Sequence, residues 1–255
     1  MLCNTKTLTG YTLRATDGEI GSVEDFYFDD EAWAIRYLVV DTGKWLPGRK
    51  VLISPISLGA VDDDGKKLDV KLNKNQVENS PDIDKHKPIS RQHESELFRY
   101  YNYPYYWAGP YLWGPIAYPA EFAVTAPDTQ VREIKAAEER ANSEDRHLRS
   151  TREVANYSVH ASDGEIGHVE DFVVDGENWA IRYVIVDTKN WLPGKKVLVS
   201  PQWIKQVSWS ESAVYFDVTR EAIKSSPEYD PSVPLGRDYE KRLHEHHKRP
   251  DYWGS

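Results

Sequence analysis

The 255-residue chain contains very little cysteine and no long apolar run. Its one cysteine, Cys3, permits no disulfide within the chain, which is typical of a reducing compartment. The N-terminus lacks the basic start and apolar core of a secretory signal. No apolar run approaches the roughly 18 residues that suggest a membrane-spanning helix. These absences predict a cytoplasmic protein without a transmembrane segment.

Positive charge is also scarce, because 32 Lys and Arg stand against 41 Asp and Glu, for a net charge of −9. A chain with this balance lacks the basic stripe that binds phosphate backbones, so we expect no nucleic-acid partner. The same charge opposes binding to anionic lipid, so peripheral membrane association is not favoured.

Familiar catalytic motifs are missing as well. The sequence has no Ser/His/Asp signature, no glycine-rich phosphate loop and no CxxC pair. We therefore predict that the chain is not an enzyme, with no catalytic residue, no cofactor and no metal.

What the sequence does contain is a long internal repeat. "DGEIGSVEDF" from Asp17 is answered by "DGEIGHVEDF" from Asp163, 146 positions later, and 28 of the 39 positions from Asp17 to Pro55 are identical in the second copy. A weaker match continues without gaps through both tails. The repeat predicts a duplicated domain, with units at 1–107 and 148–255 and a linker at 108–147. Whether the units form a pseudo-twofold pair or stand as independent tandem domains is left open by the sequence.

Each repeat has the pattern of several short strands separated by polar turns. Asp17-Gly18 and Asp163-Gly164 lie between apolar runs, which is a strong hairpin signal. Gly21 and Gly167 follow just inside the next strand, where glycine marks a bulge or a close backbone approach. The predicted fold class is therefore mainly β, with two small antiparallel barrels, each followed by a short helical and aromatic tail.

Helical segments are predicted only outside the strands. Short helical turns are expected at Asn75–Asn79 and Glu221–Ser225, and exposed tail helices at Ser90–Tyr101 and Gly236–His247. The charged stretch Thr129–Arg149 predicts a solvated helix in the linker.

Acidic residues crowd the repeated segment but have the spacing of a turn and a strand. Asp17 and Glu19 belong to the turn, whereas Glu24 and Asp25 point to opposite faces of one strand. Calcium-loop spacing is absent. We therefore interpret the carboxylates as turn and solvated-face residues.

Arg36 and Arg182 interrupt an otherwise apolar strand. We expect each to pair with an acidic group, and Glu24, Asp25 or Asp41 could serve for Arg36.

Histidines cluster at the C-terminus as His244, His246 and His247. On a helix, positions 244 and 247 share a face and could hold a metal, but the first repeat has Tyr100 and Tyr101 opposite His246 and His247. Surface histidines are the favoured interpretation.

Aromatic residues are plentiful, with 9 Trp and 16 Tyr. Tyr106, Trp107, Tyr252 and Trp253 recur in both tails and are predicted to complete the cores. The unrepeated linker aromatics are better candidates for a protein interface, since Tyr and Trp are enriched in binding hot spots. The candidate interaction surface comprises Tyr103, Tyr105, Tyr111, Trp113 and Tyr118.

The stretch "DGEIGSVEDFYFDDEAWAIRYLVVDT…WLPGRKVLISP", present twice, resembles the PRC-barrel family, named for the barrel of the photosynthetic reaction centre H subunit. The layout resembles bacterial tandem PRC-barrel proteins. The resemblance implies a barrel used for assembly and protein contact, with no catalytic residues to carry over. Unlike that of the H subunit, the sequence predicts no N-terminal membrane helix.

Three functions follow as hypotheses. The first is a non-enzymatic interaction or assembly module that binds a protein partner or another copy of itself. The second is a metal-binding protein or enzyme that uses the acidic turns and the C-terminal histidines. The third is a peripheral component of a photosynthetic or electron-transport membrane complex.

Overall fold

The structure, a computed structural model, describes residues 1–81, 89–122, 147–188 and 195–254. The predicted linker helix at Thr129–Arg149 lies almost wholly outside these residues. Within them, two similar seven-stranded sheets form, one for each repeat. Short helices follow each sheet, and the predicted mainly β fold class is confirmed.

Fourteen strands are described. In the first half of the chain they are β1 (Leu2–Asn4), β2 (Thr12–Ala15), β3 (Gly18–Asp29), β4 (Ala34–Asp41), β5 (Lys50–Ile53), β6 (Leu58–Asp62) and β7 (Lys67–Val70). In the second half they are β8 (Leu148–Ser150), β9 (Ser158–Ala161), β10 (Gly164–Asp175), β11 (Ile181–Asp187), β12 (Lys196–Val199), β13 (Ile204–Ser208) and β14 (Ala213–Phe216).

Six α-helices lie among the described residues. They are α1 (Thr5–Leu8), α2 (Lys74–Glu78), α3 (Arg91–Tyr101), α4 (Thr151–Val154), α5 (Arg220–Lys224) and α6 (Arg237–His247). Four of them (α2, α3, α5 and α6) occupy the predicted helical turns and tails, whereas α1 and α4 were not predicted. Single 3-10 turns occur at Pro55–Ser57, Pro119–Glu121 and Pro201–Trp203. Among the described residues, no helix combines the length and hydropathy needed to cross a bilayer.

The sheet order shows an exchange of strands between the repeats. The first sheet runs β5-β4-β3-β2-β7-β6, and its seventh strand is β8, which pairs with β3. The second sheet runs β12-β11-β10-β9-β14-β13, and its seventh strand is β1, which pairs with β10. Each sheet is therefore completed by the first strand of the other repeat. In the part of the chain described, no pairing of β5 with β6 or of β12 with β13 closes either path into a barrel.

Two compact units result, and they follow the sheets rather than the sequence halves. The first-repeat unit comprises Leu8–Ser150 and Glu177–Ala180. The second-repeat unit comprises Met1–Thr7, Thr151–Gly176 and Ile181–Ser255. The boundaries 1–107, 108–147 and 148–255 remain a prediction about the sequence repeat.

The cores explain the apolar runs in the sequence. All of β4 except Asp41 is buried, as expected for a strand covered on both faces. The cover on one face comes from α3, since the rings of Tyr37 and Phe98 lie edge to face with centroids 6.1 Å apart. The helix begins at its N-cap Ser90, whose hydroxyl accepts from the amide of His93, and ends at left-handed Asn102.

Gly21 and Gly167 lie where two backbones nearly touch, as predicted. A Cβ on Gly21 would lie 2.1 Å from the carbonyl oxygen of Asp41, and one on Gly167 would lie 2.0 Å from that of Asp187. Gly21 also has a φ of +144°, which favours glycine. The repeated glycine therefore allows β3 and β10 to pass close to the ends of their neighbours.

We predict that Gly21→Ala and Gly167→Ala each lower the free energy of unfolding by about 2 to 3 kcal/mol, because the backbone cannot yield cheaply to the added methyl group. Urea denaturation followed by circular dichroism measures the change. The control is Gly236→Ala, where a Cβ meets nothing within 4 Å, and we expect a loss of about 1 kcal/mol or less. Equal small losses at all three positions would contradict the close approach.

Candidate functional site

The candidate site consists of two sheet edges that each accept an extended segment. The first is the edge of β10, which accepts the N-terminal segment. β9 pairs with β10 only from Gly164 to His168, which leaves the far end of that edge open. β1 fills it in antiparallel register, with Cys3 opposite Val174. The segment thereby supplies backbone hydrogen-bond partners that the edge would otherwise lack.

Side chains after β1 fix the segment in place. The Thr5 hydroxyl donates to Asp171 Oδ1 at 2.5 Å, and the Lys6 backbone amide donates to the same carboxylate at 3.2 and 3.3 Å. Burial raises the pKa of Asp171, although these hydrogen bonds act against the rise. Lys6 Nζ donates to Glu170 Oε1 at 2.8 Å, and Lys196 Nζ lies 3.2 Å from the same oxygen. The hydrogen bond from Lys6, aided by Lys196, lowers the pKa of Glu170 to about 2 against the opposing effect of burial.

The first-repeat unit holds β8 in the same way. β8 pairs with the end of β3, with Arg149 opposite Phe28. The Ser150 hydroxyl donates to Asp25 Oδ2 at 2.5 Å, and Arg149 Nε donates to Asp30 Oδ2 at 2.8 Å. Burial raises the pKa of Asp30, and Arg149 opposes that rise.

Asp25 and Asp171 occupy equivalent positions, and each anchors a docked segment. The interpretation of Asp25 as a solvated-face residue is wrong, since Asp25 and its equivalent Asp171 are each only 4% exposed. The sequence pattern could not show this because the covering strand comes from the other repeat. Glu24 forms an ion pair with Lys50.

The acidic turn residues hold a neighbouring helix. Asp17 Oδ1 accepts from the Lys74 backbone amide at 2.8 Å, at the start of α2. Asp163 Oδ1 accepts from the Arg220 amide at 2.7 Å, at the start of α5. The duplicated turn therefore joins a hairpin to a helix start in both units.

A buried carboxylate attaches the tail helix of the first-repeat unit to its sheet. Glu94 of α3 is fully buried, and its Oε1 accepts from the hydroxyls of Tyr37 at 3.0 Å and Tyr106 at 2.7 Å. Its Oε2 lies 3.0 Å from His147 Nε2 and 3.6 Å from Arg91 Nη1. Burial first, and then the charge of Glu94, raise the pKa values of both tyrosines.

The second-repeat unit contains the same arrangement around Glu240 of α6. Glu240 Oε1 accepts from the hydroxyls of Tyr183 at 2.9 Å and Tyr252 at 2.8 Å. Arg237 Nη1 lies 3.0 Å from the other carboxylate oxygen. Burial raises the pKa of Tyr252 to about 12. Because the glutamate, the arginine and both tyrosines recur at the offset of 146, the repeat itself signals this cluster, which no short motif marks.

Arg36 and Arg182, the arginines within apolar strands, each pair with the aspartate that ends the neighbouring strand. For Arg36 this aspartate is not one of the three expected partners. Arg36 is 2% exposed, and its Nη2 donates to Asp29 Oδ2 at 3.1 Å. Its guanidinium carbon lies 3.8 Å from the ring centroid of Tyr106. Arg182 Nη2 donates to Asp175 Oδ2 at 2.8 Å in the other unit.

The expected partners Glu24, Asp25 and Asp41 for Arg36 are therefore wrong. The physical reason is the register, since a shift between Tyr27 and Phe28 brings the end of β3 beside Arg36. Burial would raise the pKa of Asp29, but Arg36 and two backbone amides bring it below its ordinary value.

The five aromatic candidates do not share one surface. Trp113 is fully buried, and its Nε1 donates to the Asn178 carbonyl at 2.8 Å; Tyr105 is 5% exposed. The prediction that Trp113 and Tyr105 belong to an interaction surface is therefore wrong, because a buried ring offers no area to a partner. Tyr103 is half-buried, with its hydroxyl on Ser57, whereas Tyr111 and Tyr118 are 57% and 40% exposed. Binding of a partner by the exposed side chains remains a prediction.

The recurring tail aromatics are Tyr106, Trp107, Tyr252 and Trp253. Tyr106 is buried as predicted, and the other three are half-buried against their units.

The C-terminal histidines are mostly engaged by the fold. His244 is 4% exposed, so its interpretation as a surface histidine is wrong; its ring nitrogens meet Tyr183 Oη at 3.1 Å and the Pro250 carbonyl at 2.8 Å. It takes the core position that Phe98 holds in the first repeat. Burial, with the neighbouring histidines, lowers the pKa of His247 to about 4.

Another group has metal-ligand chemistry. His168, Glu170 and Asp187 each offer one ligand atom, and these three atoms lie within 4.8 Å of one another. Glu170, however, already accepts from Lys6 and Lys196, whose charges oppose a cation. The group therefore has the geometry of a metal site but an unfavourable electrostatic setting.

Comparison with known proteins agrees with this duplicated architecture. The model of a family described as "PRC-barrel domain" matches residues 5–77 and 150–223, together more than half of the chain. The chain belongs to the PRC-barrel family. Domains of this family are often interaction or assembly modules.

A curated relative gives a shorter match. An uncharacterised protein of Deinococcus radiodurans is 42% identical over 59 residues, which are 23% of this chain and 21% of that protein. The match thus spans about a fifth of the relative's length.

We predict that Glu94→Ala costs about 3 to 5 kcal/mol of stability, because it leaves buried tyrosine and arginine groups without their acceptor. Glu240→Ala should cost less, since the Arg237 side chain is 49% exposed and water can replace its partner, whereas that of Arg91 is 8% exposed. Hydrogen exchange by mass spectrometry over α3 and α6 measures each loss locally. The exposed neighbours Glu96 and Glu245 serve as control positions, and equal effects at buried and exposed sites would refute the attachment role.

We also predict a pH dependence of segment docking. A depressed pKa means that Glu170 stabilises the docked segment above its ordinary value of 4.5, and that this contribution is lost as the pH falls toward about 2. Lys6→Met should raise the pKa of Glu170, measured by carbon-13 NMR of its carboxyl group. Lys196→Met should also raise it, but without loosening β1 in hydrogen exchange. An unchanged titration in Lys6→Met would exclude the ion pair.

Proposed function

We propose that the chain is a non-enzymatic interaction or assembly module that works in the cytoplasm. The observation that supports this most is the docking of an extended segment on each sheet. β1 on β10 and β8 on β3 are both held by strand pairing and by a buried aspartate. A sheet edge that accepts an extended segment in this way is a known mode of peptide recognition.

Exposed aromatic side chains supply a second contact area. Tyr111 and Tyr118 lie in the same stretch after α3 and are 57% and 40% exposed. Large, rigid side chains with a polar tip give contact area at a low entropic cost. We propose that these two tyrosines contact a protein partner of this unit.

The experiment compares a double variant with a matched control. Tyr111→Ser with Tyr118→Ser should reduce affinity capture of partners and association in light scattering, because both anchors are lost. Val61→Ser with Val233→Ser removes apolar side chains that are 48% and 58% exposed elsewhere, and should leave both measurements unchanged. A wild-type chain that is strictly monomeric and captures no stoichiometric partner would overturn the proposal.

A further inference from the structure

The two docked segments share a register and a short sequence pattern. "LCNT" begins with Leu2 opposite Asp175, and "LRST" begins with Leu148 opposite Asp29. These acceptor positions are equivalent under the 146-residue offset. Each edge therefore recognises the same pattern, and in each case the pattern arrives from the other repeat.

The N-terminal segment belongs to the second-repeat unit and makes several hydrogen bonds with it. Besides its strand pairing and its contacts with Glu170 and Asp171, the Met1 carbonyl accepts from the Gly176 amide at 2.8 Å, and the Asn4 side chain accepts from the Tyr229 hydroxyl at 2.8 Å. Glu170, Asp171, Gly176 and Tyr229, with which the segment makes these contacts, all belong to the second-repeat unit. The same contacts would form with the segment of another molecule.

The N-terminal segment is joined to the first-repeat unit by one peptide bond, because Thr7 belongs to the second-repeat unit and Leu8 to the first. Exchange of an identical element between molecules is a low-cost route to dimers, since no new contact has to be made. Docking within one chain competes with exchange between chains, because the tether gives the segment a high effective concentration at its own chain's edge. Exchange between chains is therefore favoured when the protein concentration is high.

We propose that a second copy of this chain is a partner, and that two copies exchange their Met1–Thr7 segments reciprocally, each placing β1 on β10 of the other. The inference rests on the proposed interaction function and names a partner for it. It predicts that Cys3 of one molecule lies opposite residue 174 of another.

Two full-length variants test this directly, because the chain has one native cysteine. The donor is the wild-type chain labelled with nitrogen-15, and the acceptor carries Cys3→Ser and Val174→Cys. Neither molecule can form a disulfide within itself. After the two are refolded together at high concentration and oxidised, intact mass spectrometry should find a covalent donor–acceptor heterodimer whose fraction falls on dilution.

The matched control acceptor carries Cys3→Ser and Gln206→Cys, which places an equally new thiol at an exposed site on β13. The heterodimer with Val174→Cys should exceed that control several-fold. Because Val174 is fully buried, circular dichroism checks the fold. A second pair uses Leu2→Cys in the donor and Asp175→Cys in the acceptor, each with Cys3→Ser, since these residues also lie opposite each other.

Heterodimer at the control level in both pairs would overturn exchange between copies. That result would leave the proposed function standing if the tyrosine variants still lost a different partner. A different result would separate the two proposals. If the tyrosine variant captures partners as well as its control does, but the heterodimer is strong, the tyrosine surface is refuted and the exchange is supported.

Discussion

The open ends of two long strands determine much of this structure. β3 and β10 have 12 residues each, whereas the strands beside them on one edge, β2 and β9, have only 4. Unpaired backbone groups in a partly buried sheet are costly, so the remaining edge must be covered. β8 and β1 cover it, and the buried carboxylates of Asp25 and Asp171 follow from that requirement, because they bind the hydroxyl groups that arrive with the segments.

The tail helices meet a second requirement, which is to cover the outer faces of apolar strands. A helix with few apolar residues cannot do this by hydrophobic contact alone. Glu94 and Glu240 supply a polar attachment instead, each accepting from one tyrosine of the sheet and one of the tail. A buried cluster of hydrogen bonds and charge contacts favours one arrangement of helix on sheet over others.

Much of this could be predicted from sequence. The offset of 146, the Asp-Gly turns and the alternation of apolar residues predicted the strands of each repeat except β1 and β8, and the close approach at Gly21 and Gly167 followed from glycine chemistry. The exchange could not be predicted, because both acceptor edges recognise the same pattern and local sequence cannot distinguish which copy supplies it. The burial of Trp113 was missed for a similar reason, since its partner Asn178 lies in the other repeat.

The central claim is that each unit is completed by the strand of the other repeat. Nuclear Overhauser contacts between facing backbone protons test it most directly in the full-length protein. The account predicts contacts between Cys3 and Val174 and between Arg149 and Phe28. Contacts between Cys3 and Phe28, with Arg149 facing Val174, would show that each repeat keeps its own strand and would contradict the account.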